Sequence, residues 1–217
     1  MSRRSIFISP LVASVAAACA RATLPGPSGP APNLAEYVTT PPEIVLRMLE
    51  LAGVTKDDVV YDLGSGDGRI PILAAKRYGA HGVGVEIDEK LIALSRRNAE
   101  GERVAHLVDF RHQDALTVDL SGATVVTLYL GVEANQRLRP ALRSQLRRGA
   151  RVVSQTFDMG DWLPDRIERV ASQRGEEHID TAFPANVCLV ATVLPNGFAH
   201  RKALTEQRRI GRAGWFN

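Results

Sequence analysis

The chain has 217 residues, of which 45% are hydrophobic and 24% are charged, a composition typical of a globular domain with a full core. The formal net charge is +3, and two of the arginines that set it, Arg3 and Arg4, lie in a segment with the features of a removable signal. The charge therefore gives no clear indication of nucleic-acid binding. The five histidines and Cys188 do not have the spacing of metal ligands, so no metal site is predicted.

Residues 1–20 have the pattern of a targeting segment. Arg3 and Arg4 precede an apolar, alanine-rich stretch that ends in small residues, as in bacterial secretory signals of the twin-arginine type. Residues 21–33 contain four prolines and two glycines and are predicted to form an extended linker. The pattern predicts export or membrane association, whereas a start codon further downstream would leave the protein in the cytoplasm.

The predicted globular domain spans residues 34–195 and begins with a helix. Thr40 and Glu43 have the spacing of a capping box, which places Pro41 at the first helical position. The apolar face that follows predicts a helix over residues 44–51.

A glycine loop follows the first predicted strand, an apolar run over residues 59–63 that suits a buried parallel strand. The glycines alternate along the chain: Gly64, Gly66 and Gly68. A dinucleotide fingerprint has its third glycine one place later, where this chain has Arg69, and Asp62 and Asp67 would repel a pyrophosphate. The carboxylates instead suit a ligand with an amino group and a sulfonium. The pattern resembles motif I of the class I S-adenosylmethionine-dependent methyltransferases, with a tight turn in another α/β protein as the alternative.

Two further acids follow predicted strands on the same edge of the sheet. Glu86 ends the strand over residues 82–86, about 20 residues after the glycines, where an acid holds the ribose of a nucleotide. Asp114 follows the strand over residues 108–112, where methyltransferases of this class usually place an acid against the adenine amino group. The alternatives are a surface acid for Glu86 and a turn residue for Asp114.

The second half of the domain is predicted to supply the acceptor side. Two aromatic side chains and two carboxylates in residues 157–162 would receive a cation, with a polar loop anchored by a buried Trp162 as the alternative.

The remaining predicted elements are strands over 123–130, 151–156 and 186–194, a helix over 133–148, a partly helical and then extended segment over 166–179, and a basic, solvated tail over 196–217.

Four segments together resemble the bacterial relatives of the mitochondrial ATP synthase c-subunit lysine N-methyltransferases. These segments are Tyr37-Val38-Thr39-Thr40-Pro41-Pro42, Asp62-Leu63-Gly64-Ser65-Gly66-Asp67-Gly68-Arg69, Gly84-Val85-Glu86 and Phe157-Asp158-Met159-Gly160-Asp161-Trp162. The resemblance implies an α/β fold with a Rossmann-like, seven-stranded methyltransferase sheet and helices on both faces. It also implies that the first segment closes over S-adenosyl-L-methionine and that a methyl group passes to a lysine nitrogen.

The expected site has a cofactor half and an acceptor half. The expected cofactor-binding residues are Thr40, Asp62, Gly64, Ser65, Gly66, Gly68, Glu86 and Asp114. The expected catalytic residues, as positioners or proton acceptors, are Tyr37, Tyr129 and Asp158. The leading hypothesis is a protein-lysine N-methyltransferase that acts on a protein partner, and the signal-like N-terminus leaves membrane proximity open. The alternatives are a methyltransferase of a small molecule or RNA, and an exported, non-catalytic binding protein with the same fold.

Overall fold

The computed structural model describes residues 34–170 and 187–192. In chain order, the elements are α1 (Pro42–Leu51), β1 (Val59–Leu63), α2 (Arg69–Tyr78), β2 (His81–Glu86), α3 (Glu89–Gly101), β3 (Val108–His112), β4 (Val125–Leu128), α4 (Val132–Gln145), β5 (Arg151–Gln155), β6 (Arg166–Arg169) and β7 (Val187–Thr192). The targeting segment, the linker and the basic tail lie outside the described residues, and the predicted domain boundaries stay predictions. Within the part described, no helix is both long and apolar enough to cross a membrane.

The described strands form one seven-stranded sheet in the order β3-β2-β1-β4-β5-β7-β6. The pairs among β1 to β5 are parallel, and β7 is antiparallel to both β5 and β6. The order reverses beside β1, and the carboxyl ends of β1, β2 and β4 therefore meet at one edge, where open α/β sheets bind ligands. The predicted fold class is confirmed.

Helices cover both faces of the sheet because alternate strand residues point to opposite sides. One face packs against α1 and α2 through Val60, Val125 and Val153, all fully buried. The opposite face packs against α4 through Tyr61, Val126 and Val152. The apolar runs in the central strands are therefore explained by burial on both sides.

The start of α1 differs from the expected capping box. Pro41 occupies the N-cap position and Pro42 the first helical position, and no side chain caps the helix. The Thr40 hydroxyl instead donates to Oε1 of Gln155 at 2.8 Å. The predicted capping box is wrong because two consecutive prolines move the helix start one residue along the chain.

Two later elements also differ from expectation. The helix expected to start near Arg166 is absent there, because Arg166–Arg169 pairs with β7 as β6. The rest of the expected helical segment, from residue 171, lies outside the described residues. Helix α4 continues through Pro140 and ends at Gln145, three residues before the predicted end.

A buried ion pair joins the amino-terminal ends of three central strands. Asp58 is 6% exposed, and its carboxylate accepts hydrogen bonds from Thr124 Oγ1 at 2.6 Å, from the Thr55 N–H at 2.8 Å and from the Arg151 guanidinium. Burial alone would raise the pKa of Asp58, but the hydrogen bonds and the charge of Arg151 outweigh it, and the pKa lies below its usual value.

We expect Asp58→Ala to lower the free energy of unfolding by about 2–3 kcal/mol at pH 7, because Arg151 loses its partner. Because the pKa of Asp58 is lowered in the folded protein, its contribution is present above the usual aspartate pKa and is lost as the pH falls below it. Urea unfolding at pH 7 and about pH 3 checks both statements. The control Asp57→Ala, whose side chain is 82% exposed, should change stability by less than about 0.5 kcal/mol, and an equal loss in both variants would contradict the prediction.

Candidate active site

Two side chains pack directly against the backbone of the glycine loop, because its glycines have no Cβ atoms. Gly64 and Gly66 have φ values of 77° and 55°, which glycine adopts without strain. A Cβ at Gly66 would lie 2.5 Å from the Tyr37 ring, and a Cβ at Gly64 would collide with Leu130. The loop is therefore covered by Tyr37 on one side and Leu130 on the other.

An open cleft lies beside this loop at the carboxyl ends of the strands, where open α/β sheets bind their ligands. Five of the predicted site residues line it: Tyr37, Gly64, Glu86, Asp114 and Tyr129. Residues 34–38, which precede α1, and residues 113–115, which follow β3 in the chain, also line the cleft. The structure thus brings together the acids that were predicted to hold ribose and adenine.

Glu86 supports the loop and lines the cleft at the same time. Its Oε2 accepts the Gly66 N–H at 2.9 Å, and its Oε1 accepts the N–H groups of Ile87 and Asp88 at 2.8 and 3.0 Å. An ionised carboxylate has about four acceptor positions, so the three main-chain bonds leave capacity for a ligand hydroxyl. The geometry fits a role in ribose binding.

Asp62 lies beneath the loop, only 4% exposed, and does not line the cleft. Burial, opposed by a 2.7 Å hydrogen bond from Thr127 Oγ1 and reinforced by the charges of Glu86 and Asp67, raises the pKa of Asp62 to about 7. A bound cation would favour the charged form of this carboxylate.

Arg69 connects the glycine loop to the segment that precedes α1. Its Nε and Nη2 donate to the Asp67 carboxylate at 2.8 and 2.5 Å, and its Nη1 donates to the Thr40 carbonyl at 2.6 Å. Asp67 is therefore paired within the protein rather than held ready for a ligand amino group. Sequence reasoning missed Arg69 as a site residue, although its position two residues after Asp67 was a usable signal.

Three predicted cofactor residues have structural contacts away from the cleft. The Ser65 hydroxyl is buried next to Gly84 and has no hydrogen-bond partner among the described residues. Gly68 approaches Phe110 and Ser95 so closely that a Cβ would lie 2.6–2.7 Å from both. Thr40 bonds to Gln155. Their part in cofactor binding stays a prediction.

The part of the cleft beside Tyr129 is the expected acceptor end; Tyr129 lines it, whereas neither Phe157 nor Asp158 is among the lining residues. The rings of Tyr129 and Phe157 stack with centroids 5.8 Å apart and planes at 23°. Burial raises the pKa of Tyr129, and burial together with the charge of Asp67 raises that of Tyr37. Both phenols are therefore protonated at neutral pH and do not act as bases. Asp158 follows Phe157, and its Oδ1 accepts the Gly160 N–H at 2.9 Å.

No group of three or more potential metal ligands occurs in residues 34–170 and 187–192. The fit to an adenosyl ligand comes instead from the glycine loop, which has little space for side chains, and from the acids at the ends of β2 and β3. Glu86 and Asp114 both line the cleft, and their predicted roles in holding the ribose and adenine of S-adenosylmethionine stay predictions.

Comparison with known proteins supports the same assignment. The family model of the ANTKMT methyltransferase domain matches residues 62–166. A protein-lysine N-methyltransferase of Saccharolobus islandicus is 44% identical over 135 residues, which is 62% of this chain and 84% of that protein. The lysine N-methyltransferase of Xenopus laevis that is named for the ATP synthase c-subunit is 36% identical over 59% of this chain and 55% of its own length.

A similar protein of known structure is described with RNA, and not a protein lysine, as its substrate. The Salinibacter ruber protein described as an RNA methyltransferase, in complex with S-adenosyl-L-homocysteine, is 49% identical and has a TM-score of 0.65. The alignment covers 73% of this chain and 95% of that one. Its bound ligand is the demethylated product of S-adenosylmethionine.

The fold, the glycine loop and the acidic cleft define a methyltransferase that uses S-adenosyl-L-methionine as its cofactor. The chain belongs to the same family as the Saccharolobus islandicus protein-lysine N-methyltransferase, and the match to the ANTKMT methyltransferase domain agrees with this. The predicted family, enzyme class and cofactor are confirmed, and the alternative of a non-catalytic binding protein is not supported.

Asp62→Asn should weaken cofactor binding and remove its pH dependence. Between pH 6 and pH 7 the wild-type affinity should rise severalfold, because Asp62 becomes charged while the cofactor's own α-amino group stays mostly protonated. Calorimetric titration of S-adenosylmethionine into both proteins measures this. A wild-type profile as flat as that of the variant would contradict the assignment.

The same substitution should raise the stability of the ligand-free protein. A raised folded-state pKa contributes stability that is full below the usual aspartate pKa and is lost as the pH rises through about 7. At pH 8, Asp62→Asn should therefore unfold at a Tm roughly 2–4 °C higher than the wild type, the response of a domain of this size to about 1 kcal/mol. The difference should shrink at pH 5.

Arg69→Ala should lower the affinity for S-adenosylmethionine about tenfold, because the Tyr37 segment loses its charge-assisted bond to the glycine loop. Calorimetric titration measures the change. Arg77→Ala, an exposed arginine on the same helix, is the matched control and should bind as the wild type does. Equal affinities for the two variants would show that Arg69 does not support the site.

Proposed function

We propose that this enzyme transfers a methyl group from S-adenosylmethionine to a lysine side chain of a protein. The observation that carries the proposal is that Tyr129, which lines the cofactor cleft, stacks on Phe157, with the Asp158 carboxylate next along the chain. An aromatic surface and an adjacent acid suit an amine that alternates between its charged and neutral forms. The family relationship with a lysine methyltransferase supports the same acceptor.

The residues of the cleft prepare the acceptor rather than form a covalent bond with it. A free lysine amine has a pKa of about 10.4, and partial burial against aromatic rings lowers it and favours the nucleophilic, neutral amine. Among the three expected catalytic residues, Asp158 alone is a carboxylate and can accept the released proton. Tyr37, which is protonated, orients the amine by a hydrogen bond, whereas Tyr129 contributes the face of its stacked ring.

The cofactor, when bound, supplies an activated methyl group for an in-line displacement, in which alignment is the main contribution of the protein. In this interpretation, the Tyr37 segment and Leu130 limit the access of water to the glycine loop. The aromatic pair fixes the direction from which the amine approaches. The cleft thus provides orientation and partial desolvation.

The charges around the acceptor loop favour a protein over RNA. Asp161 pairs with both Arg139 and Arg143, at 2.6 and 3.3 Å, so the two arginines nearest to the loop are partly neutralised. An RNA acceptor would be expected to use such arginines for phosphate contacts. RNA nevertheless remains the second candidate, because the Salinibacter ruber relative is described as an RNA methyltransferase.

The full chain, incubated with methyl-labelled S-adenosylmethionine, should label proteins of a heat-inactivated cell lysate, and acid hydrolysis should release the label as methylated lysine. Tyr129→Ala should lower transfer at least tenfold, whereas Tyr129→Phe, which keeps the stacked ring, should stay within about threefold of the wild type. Total RNA from the same cells is the competing acceptor. Label that enters RNA and no protein would refute the proposal.

A further inference from the structure

Asn135, near the start of α4, is a polar residue with no exposed surface. A buried amide costs free energy unless its groups are paired. Its Nδ2 donates to three acceptors: Oγ of Ser154 at 3.0 Å and the carbonyl oxygens of Phe157 and Asp158, each at 3.1 Å. The amide therefore holds the loop that follows β5.

The orientation of this amide follows from its surroundings. The opposite atom, Asn135 Oδ1, is buried and has no hydrogen-bond partner among the described residues. Turning the amide over would place Oδ1 against two carbonyl oxygens, which cannot donate. An apolar residue at this position would avoid the cost of the unpaired oxygen. The presence of asparagine is therefore explained by the bonds that its Nδ2 makes to the loop.

The loop that Asn135 holds contains a strained turn. Thr156 is β-branched and has φ of 65°, a conformation rare for such a residue. The Phe157 N–H donates to the Gln155 carbonyl at 2.7 Å and closes a three-residue turn. Ser154 Oγ donates to the Phe157 carbonyl at 2.5 Å. A turn of this kind persists only where neighbouring groups hold it, and Asn135 and Ser154 are those groups.

The strained turn directs the Phe157 ring onto Tyr129, which lines the cleft. We propose that Asn135 is a positioning residue that holds the Phe157 ring against Tyr129 and fixes the adjoining Asp158, and thereby shapes the acceptor end of the cleft. Its loss slows methyl transfer without weakening cofactor binding. The inference rests on methyl transfer at this cleft but does not require that the acceptor be a lysine.

A second asparagine provides a matched comparison. Asn98 on α3 donates its Nδ2 to the Asp67 carbonyl at 2.9 Å, and it therefore holds the glycine loop in the way that Asn135 holds the acceptor loop. The two residues lie on different helices and bond to different loops. Removing Asn98 should weaken cofactor binding, and removing Asn135 should not.

The test compares the full-length wild type with Asn135→Ala, Asn98→Ala and Ser154→Ala. Hydrogen–deuterium exchange follows peptides that cover residues 156–162, and calorimetric titration with S-adenosyl-L-homocysteine gives the affinity of the cofactor site. Transfer from S-adenosylmethionine to poly-L-lysine gives kcat and KM for an acceptor. In Asn135→Ala, exchange over 156–162 should accelerate at least about tenfold and kcat/KM should fall about tenfold, with Kd changed less than about twofold.

Asn98→Ala should show the reverse pattern, with weaker binding and unchanged exchange over 156–162. Ser154→Ala, which removes one of the bonds to the Phe157 carbonyl, should reproduce the Asn135→Ala pattern at smaller amplitude, and it decides the question if Asn135→Ala does not fold. Unchanged exchange over 156–162, or a loss of cofactor affinity equal to the loss of transfer, would overturn the proposal. Failure of the wild type to methylate lysine would refute the lysine acceptor, while exchange and affinity would still test Asn135.

Discussion

The burial of the Asp62 carboxylate near the end of β1, close to the charges of Glu86 and Asp67, is the constraint that the cofactor half of the structure must satisfy. Glu86 accepts three main-chain hydrogen bonds, whereas the Asp62 carboxylate accepts one from Thr127. Burial, reinforced by the charges of Glu86 and Asp67, raises the pKa of Asp62 despite the bond from Thr127. A cationic ligand at this site would favour the charged form of Asp62.

Much of this half could be predicted because it depends on residues close together in sequence. An apolar run, a glycine loop and a helix define β1 and α2, and acids after parallel strands reach the same edge of the sheet. Glu86 and Asp114 were found in this way, and both line the cleft. The pattern did not show that Ser65 and Gly68 pack against the sheet and α3, since those contacts depend on how Phe110 and Gly84 fill the space beneath the loop.

The contacts that sequence reasoning missed join distant parts of the chain. Thr40 has the spacing of a helix cap, but its hydroxyl bonds to Gln155, 115 positions away. Asn135 lies 22 positions from Phe157, and its spacing from Leu138 and Leu142 places it on the buried face of α4 but does not indicate which loop its amide contacts. Such pairings follow from the packing of α1 and α4 on opposite faces of the sheet, which local periodicity does not specify. The acceptor half is consequently less predictable than the cofactor half.

The bond between Arg69 and the Thr40 carbonyl also has a mechanical consequence. Residues 37–40 precede the first helix, and they contact the glycine loop through this bond and through the Tyr37 ring. Tension applied along the backbone from that direction is therefore transmitted to the nucleotide pocket as well as to the hydrophobic core, which Leu34 contacts. Tethering the protein by its amino-terminal side, to a bead, a surface or a bulky fusion partner, would then act on ligand retention and not on unfolding alone.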